Sequence, residues 1–375
     1  MRVLILSCNT GEGHNSSAKA IKTYMDCVGL DSKIEDTLAI ASPAVSARVS
    51  KAYNYSIRGR LFYNLYNIGD FVSNHLTRVK SPVYYVNRLY ADKLYQYICR
   101  YNCDAIVAVH LFAAEALTAL KRDYKLSVPT LFVMTDYTCI PFIGETELDM
   151  YAIPHKDLIS KFESGGIPKE KLIATGIPVD SSVASISKPE ARNIANLALN
   201  WSDNSSGRWF LIMGGSMGFG NMERLLTELC QKSTTTDRII CICGRNSEQQ
   251  ASVSRQFAEV EQVKVLGYTD KIPLLMDSCD VLFSKPGGIT STEAIIRNIP
   301  LIHTAPIPGL EDKNGQFFHA RNMSYYTTDT QKQVEIAIRL CNDLPFREKM
   351  LKSQRENANN RTCDMIVNIL MEMVR

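Results

Sequence analysis

The chain lacks the short motifs that would name a chemistry at once. It has neither G-x-G-x-x-G nor G-x-x-x-x-G-K-[ST], which argues against a dinucleotide dehydrogenase and against a Walker-type NTPase. No Asp-x-Asp pair stands ready to hold a divalent ion. No apolar run approaches the roughly 18 residues of a bilayer span, so the chain is not expected to cross a membrane. A net charge of +3 is too small to imply nucleic acid by itself. Internal repeats and low-complexity segments are absent. The opening MRVLILSCNTG carries one arginine and a short apolar run that enters a glycine turn, so it reads as a strand and not as a signal peptide. The eleven cysteines are therefore expected to be reduced, cytosolic and mostly buried. Cys99 with Cys103 and Cys241 with Cys243 have no second pair at zinc-site spacing, so no metal site is expected.

What is present is a long chain of alternating elements. At 375 residues it fits two domains of about 150–200 residues each, and 45% hydrophobic with 22% charged residues is the composition of a folded globular protein. Continuous apolar runs at Val3–Leu6, Ala105–Val109, Thr130–Met134 and Ile173–Val179 are separated by stretches of helical spacing, such as Ser16–Met25. After a polar, serine-rich stretch a second series follows at Trp209–Met213, Arg238–Cys243, Val263–Leu266, Asp280–Phe283 and Pro300–His303. Apolar strands separated by helices predict parallel sheets covered on both faces. The expected architecture is α/β: an N-terminal domain over 1–180, a linker over 181–205 and a second domain over 206–345. A C-terminal helix over 346–375 is expected to pack back toward the N-terminal domain.

Three glycine-rich segments follow predicted strands and precede predicted helices: Gly11-Glu12-Gly13-His14, Gly214-Gly215-Ser216-Met217-Gly218 and Lys285-Pro286-Gly287-Gly288-Ile289-Thr290. Glycine lets the backbone approach a ligand closely, and the N–H groups of the following helix point at any anion placed there. Any one of these loops is also what an ordinary strand-to-helix turn looks like. Three of them, split between two domains, favour a ligand in the cleft between the domains. In the third, Thr290 and Glu293 have the spacing of a capping box, which needs no ligand; alternatively Glu293 accepts from ribose hydroxyls.

SKPGGITSTEA, followed by IPLIHTAPIPGLEDKN, resembles the nucleotide-sugar signature of glycosyltransferases with two Rossmann-like domains, the GT-B type. RVLILSCNTGEGHNSSAKAI, MTDY at 134–137 and TGIPV at 175–179 narrow the resemblance to the monogalactosyldiacylglycerol synthase and processive diacylglycerol glucosyltransferase family. That family is related to the N-acetylglucosaminyltransferase of the peptidoglycan pathway. The resemblance implies two doubly wound domains facing across a cleft, and inverting transfer of a hexose from UDP-glucose or UDP-galactose to diacylglycerol. It implies no other cofactor, and the missing Asp-x-Asp pair agrees with a metal-independent site. The 1–180 domain would then face the acceptor and the membrane, and 206–345 would bind the nucleotide sugar. By the same resemblance Gly287, Gly288 and Ile289 meet the diphosphate and Thr290 belongs to the donor site, with Gly214, Gly215 and Ser216 facing the phosphates. Gly267 and Tyr268 hold the uracil, Glu293 meets the ribose, and Glu311, Asn314 and Gln316 the donor-sugar hydroxyls. Gly11 and Gly13 form an acceptor or phosphate loop.

Two residues are candidates for the acceptor's proton. His14 is the leading candidate, since an imidazole with an ordinary pKa of about 6.5 suits proton transfer near neutral pH; it equally suits a helix-start cap. Asp136 at the end of a strand could orient His14, act as base itself, or be a cap. His110 is a weaker candidate for the same site, and His303 reads as structural. Residues 44–90 hold seven Lys or Arg, one Asp and nine aromatics, among them Arg48, Lys51, Tyr55, Arg58, Arg60 and Phe62. Basic groups attract anionic headgroups and aromatics settle at the water–lipid boundary, so this segment reads as a membrane-surface face. Two ordinary helices with a solvated basic side, or an RNA-stacking face, fit the same composition. The family resemblance favours the membrane: the expected partners are a UDP-sugar, diacylglycerol and an anionic membrane surface, with no nucleic acid. The expected location is cytoplasmic, peripheral on the inner face of the cell membrane. Other lipid acceptors, such as an undecaprenyl-linked muropeptide, and a non-catalytic UDP-sugar sensor remain as alternatives.

Overall fold

The computed structural model describes all residues except 10–11, 57–89, 181–184, 202–205, 216–220 and 307–308. The chain divides into two compact units. Unit 1 comprises Met1–Ser182, Pro308–Leu310 and Asn359–Arg375, and unit 2 comprises Val183–Ile307 and Glu311–Ala358.

Unit 1 is built on β1 (Arg2–Ser7), β2 (Asp31–Asp36), β3 (Ala105–Ala108), β4 (Thr130–Val133), β5 (Met150–Ile153) and β6 (Leu172–Ala174). Among the described residues its helices are α1 (Glu12–Cys27), α2 (Thr37–Ala41), α3 (Pro43–Ser56), α4 (Ala91–Tyr101), α5 (Leu111–Asp123) and α6 (Ile159–Ser164). The strands form one parallel sheet in the order β2-β1-β3-β4-β5-β6. The order reverses direction between β1 and β3, and in open α/β sheets ligands sit outside the strand ends at such a switch point. The central strands β1, β3 and β4 carry continuous apolar runs because helices cover both faces, and Val3, Ile5, Val107 and Val133 are fully buried. β2 (DSKIED) has no such run; Asp31 and Lys33 are exposed on either side of buried Ser32, and its last three residues are partly exposed.

Unit 2 is built on β7 (Trp209–Met213), β8 (Arg238–Ile242), β9 (Val263–Leu266), β10 (Val281–Ser284), β11 (Leu301–His303) and β12 (Tyr325–Tyr326). Its helices are α7 (Lys188–Ala198), α8 (Met222–Lys232), α9 (Ser247–Gln256), α10 (Ile272–Ser278), α11 (Gly288–Ile296), α12 (Leu310–Ala320, from Glu311 on), α13 (Thr330–Asn342) and α14 (Leu344–Asn357). The parallel sheet runs β9-β8-β7-β10-β11-β12, the dinucleotide-fold order, with its switch point between β7 and β10.

Two boundaries differ from the sequence expectation. The stretch expected to be a linker, 181–205, contains α7, whose Ala195 joins a core cluster with Trp209 and Leu275. The tail expected as one helix over 346–375 is two: α14 lies in unit 2, and α15 (Thr362–Val374) lies in unit 1. Ile366, Val367, Ile369 and Leu370 of α15 pack with Val3, Ile5, Ile21 and Val107, so the last helix completes the first unit's core. Among the described residues no helix is long and apolar enough to cross a membrane.

Candidate functional site

In unit 1 the chemistry gathers at the switch point between β1 and β3. α1 starts at Glu12, earlier than the expected Ser16, so Gly13 and His14 belong to its first turn. Gly11 lies outside the described residues. His14 is partly exposed, and its Nδ1 lies 2.8 Å from the carbonyl oxygen of Val109, just beyond β3. A carbonyl only accepts, so Nδ1 carries the hydrogen and the neutral ring presents Nε2 as its basic nitrogen. Thr135 Oγ1, after β4, is 3.0 Å from the same Nδ1. Three strand ends thus fix one imidazole.

His110 lies edge-on to it, with ring centroids 4.5 Å apart and planes at 78°. Its own Nδ1 accepts the Phe112 N–H at 3.1 Å, which caps α5 and leaves the neutral ring's hydrogen on Nε2. Burial pushes the His14 pKa below its ordinary value, while the charge of Asp136 and the Val109 carbonyl oppose that shift. Burial holds His110 well below the ordinary range, and a charge on His14 would lower it further. His14 is therefore a neutral base near neutral pH, and Asp136 favours the charged ring that forms once it has taken a proton. Asp136 itself is partly exposed, one residue beyond Thr135.

α1 is tied to the TGIPV segment by Ser17 Oγ, which donates to the Pro178 carbonyl at 2.9 Å. The Thr175 carbonyl accepts from both Asn359 Nδ2 at 2.7 Å and Thr362 Oγ1 at 2.8 Å. Gly176 has φ +93°, and a Cβ there would stand 2.5 Å from Thr362 Oγ1. Glycine is required at this crossing.

In unit 2, Gly214 and Gly215 follow β7, while Lys285, Pro286 and Gly287 follow the adjacent β10, on opposite sides of the switch point. Gly215 has φ +73°, and a Cβ there would lie 2.6 Å from Lys285 Cε, so the lysine stem rests on the first glycine loop. Lys285 Nζ pairs with the carboxylate of Glu311 in the first turn of α12. Glu311 Oε1 also lies 3.7 Å from where a Gly287 Cβ would stand. Asn314, three residues along the same helix face, donates through Nδ2 to the Pro286 carbonyl at 3.1 Å. Gln316 is exposed and two residues further round, so the structure does not gather it with Glu311 and Asn314.

α11 begins at Gly288 with Gly287 as its N-cap, and the first intrahelical bond runs from Ser291 N–H to the Gly287 carbonyl at 3.1 Å. The N–H groups of Gly288, Ile289 and Thr290 thus head the helix, where an anion is favoured. The Thr290–Glu293 capping box does not form, because the helix starts two residues before Thr290. His303, at the end of β11, is buried between Ser291 Oγ and Ser324 Oγ, each 2.9 Å from a ring nitrogen. Burial pushes its pKa down to about 3, which leaves a neutral ring holding the first turns of α11 in place. Gly267 follows β9 with its backbone close against Gln250, and Tyr268 beside it is 64% exposed under the Arg245 guanidinium, 4.7 Å from the ring centroid.

Of the surface residues, Arg48 and Lys51 are exposed on α3, and Tyr55 lies on the same helix. Ser216, Arg58, Arg60 and Phe62 lie outside the described residues. Sequence reasoning missed three participants: the Val109 carbonyl, Thr135 and Lys285. The first is a main-chain atom with no sequence signal. Lys285 had one, as a cation separated from the glycine pair only by Pro286.

Residues 14–179 match the family described as monogalactosyldiacylglycerol (MGDG) synthase, and residues 210–368 match the glycosyltransferase family 28 C-terminal domain. The chain is 27% identical over 380 residues to the processive diacylglycerol beta-glucosyltransferase of Staphylococcus saprophyticus, covering 98% of this chain and 93% of that one. It is 27% identical over 363 residues to the protein of the same name from Bacillus subtilis, covering 95% and 91%. Among solved structures it is similar to MurG of Acinetobacter baumannii, with a TM-score of 0.64 at 15% identity and 99% of each chain covered. It is also similar to a UDP-GlcNAc 2-epimerase from Neisseria meningitidis bound to UDP-GlcNAc, with a TM-score of 0.63 at 14% identity, covering 99% and 100%. At such identity these two likenesses speak for the fold: two Rossmann-like domains of the GT-B type.

Proposed function

We infer that this chain, which belongs to the monogalactosyldiacylglycerol synthase and processive diacylglycerol glucosyltransferase family, moves a glucosyl group from UDP-glucose to the hydroxyl of diacylglycerol. The observation that carries the reading is the relatedness along nearly the whole chain, in one order, to proteins named for that activity. The sugar is proposed from the names of those relatives, and the acceptor's membrane origin from the exposed Arg48 and Lys51 of α3.

In this reading His14 Nε2 takes the acceptor's proton as its oxygen attacks the anomeric carbon from the face opposite UDP, inverting that centre. Asp136 stabilises the imidazolium that results. The bond to UDP breaks with its electron pair going to the diphosphate oxygen. The N–H groups of Gly288 and Ile289 at the head of α11 receive the diphosphate charge, with no step assigned to a metal. The protein works from the inner membrane surface.

The test uses purified protein, anionic vesicles containing diacylglycerol, and radiolabelled UDP-glucose and UDP-galactose in parallel. Labelled glucolipid in the organic phase is the expected result. Label from UDP-galactose alone would overturn the choice of sugar. Saturable UDP binding with no transfer from either donor would overturn the acceptor and favour another lipid.

A further inference from the structure

Between the two glycine loops of unit 2 stands a cation already held by a carboxylate. Lys285 leaves the end of β10, lays its stem on Gly215 and ends on Glu311, and Glu311 in turn lies against Gly287. Both side chains are largely buried. This ground, bounded by Gly215, Gly287 and the head of α11, is what the proposed function assigns to the donor's diphosphate, and the inference rests on that reading. A carboxylate beside a diphosphate is repelled by it. The lysine ammonium, a compact charge with three donors on a flexible four-carbon stem, can serve either anion.

We propose that Lys285 is a charge switch for the donor. Without donor it neutralises Glu311. When a nucleoside diphosphate-hexose enters, Nζ moves to the phosphate oxygens, and the released Glu311 carboxylate accepts from hydroxyls of the hexose. When UDP leaves, the ammonium returns to Glu311. The carboxylate is thus offered to a sugar only when that sugar arrives on a diphosphate. Asn314, anchored to the Pro286 carbonyl, keeps α12 and the loop in register while the pair opens.

The test is the affinity for UDP and for uridine, by calorimetry and competition, of the wild type, Lys285→Met, Glu311→Gln and the double variant. Lys285→Met is expected to weaken UDP at least tenfold, the loss of one charged hydrogen bond, and to leave uridine unchanged. Glu311→Gln is expected to bind UDP several-fold more tightly, because the ammonium no longer has to leave a carboxylate, while its hexose transfer falls at least tenfold. In the double variant UDP should bind more tightly than in Lys285→Met alone, because the unneutralised carboxylate that repels the diphosphate is gone as well.

A gain in UDP affinity by Glu311→Gln is a result that misfolding would not produce, and its coupling to the loss in Lys285→Met separates the switch from a merely structural ion pair. UDP affinity unchanged or weakened in Glu311→Gln, or unchanged in Lys285→Met, overturns the switch while the wild type still binds UDP and transfers hexose. A wild type that binds no UDP overturns the proposed function and the switch with it.

Discussion

His303 allows the energetics of unit 2 to be tested against its own structure. The ring is fully buried and neutral, with one nitrogen on Ser291 and the other on Ser324, and burial holds its pKa at about 3. In the unfolded chain it titrates at the ordinary value of about 6.5. Between these two values the unfolded state binds a proton that the folded state refuses, so stability rises with pH there and is lost as pH falls below 6.5. At 1.36 kcal/mol per pH unit, lowering the pH from about 7 to about 4.5 costs unit 2 about 2–3 kcal/mol through this one residue.

His303→Gln lacks that proton site. The variant should be the less stable at pH 7, having lost packing and a hydrogen bond, and the gap should shrink by about 2–3 kcal/mol at about pH 4.5. The assay is urea unfolding followed by tryptophan fluorescence. Both tryptophans of the chain, Trp201 and Trp209, belong to unit 2 and pack edge-on 5.2 Å apart, so the signal reports that unit. Other acid-titrating groups cancel between wild type and variant. A gap that stays constant from pH 7 to 4.5 would refute the reasoning.

Three further perturbations probe the candidate site and its support. His14→Ala should lower glucosyl transfer by about 10²–10⁴-fold. In the wild type, kcat/KM should fall on the acid side with a midpoint below 6.5, since His14 must be neutral to act and burial lowers its pKa. Asp136→Asn removes a charge that raises that pKa, so the midpoint should move to still lower pH; an upward move would contradict the assignment. Gly215→Ala places a side chain at φ +73° against Lys285 Cε and should cost about 1 kcal/mol or more, seen as weaker UDP binding. Ile366→Ala in α15 leaves a hole in the core of unit 1 and should cost about 2–5 kcal/mol. Hydrogen exchange should locate that loss in unit 1, with the tryptophan-reported unfolding of unit 2 unmoved.

Much of the fold was legible because a parallel sheet buried on both faces leaves long apolar runs, and β1, β3, β4, β7, β8 and β10 each announce themselves that way. Three strands went unread, and one of them, β5, is an inner strand as long as β3 and β4. β2 reads DSKIED because among the described residues one side of it pairs with no strand, and β12 is two residues long. β6 was expected to continue to Val179 but stops at Ala174, where Gly176 turns the chain with φ +93°. α7 was hidden by the polar, serine-rich composition around it. The break between α14 and α15 was hidden because helical spacing continues on either side.

For the site, the sequence alone determined which loops follow which strands, and so placed His14 and the glycine pairs at strand ends. Those are local properties, set by apolar periodicity and by turn chemistry. Only the tertiary structure decided which atoms meet. The strand order brings residues 14, 109 and 135 to one imidazole, and a main-chain carbonyl chooses its tautomer. The same holds for Lys285 on Gly215 and Glu311, residues 70 and 26 positions away that β10 and α12 bring together. Hydrogen bonds and charges act over a few ångströms in space, and the sheet order that sets those distances is a property of the packed whole.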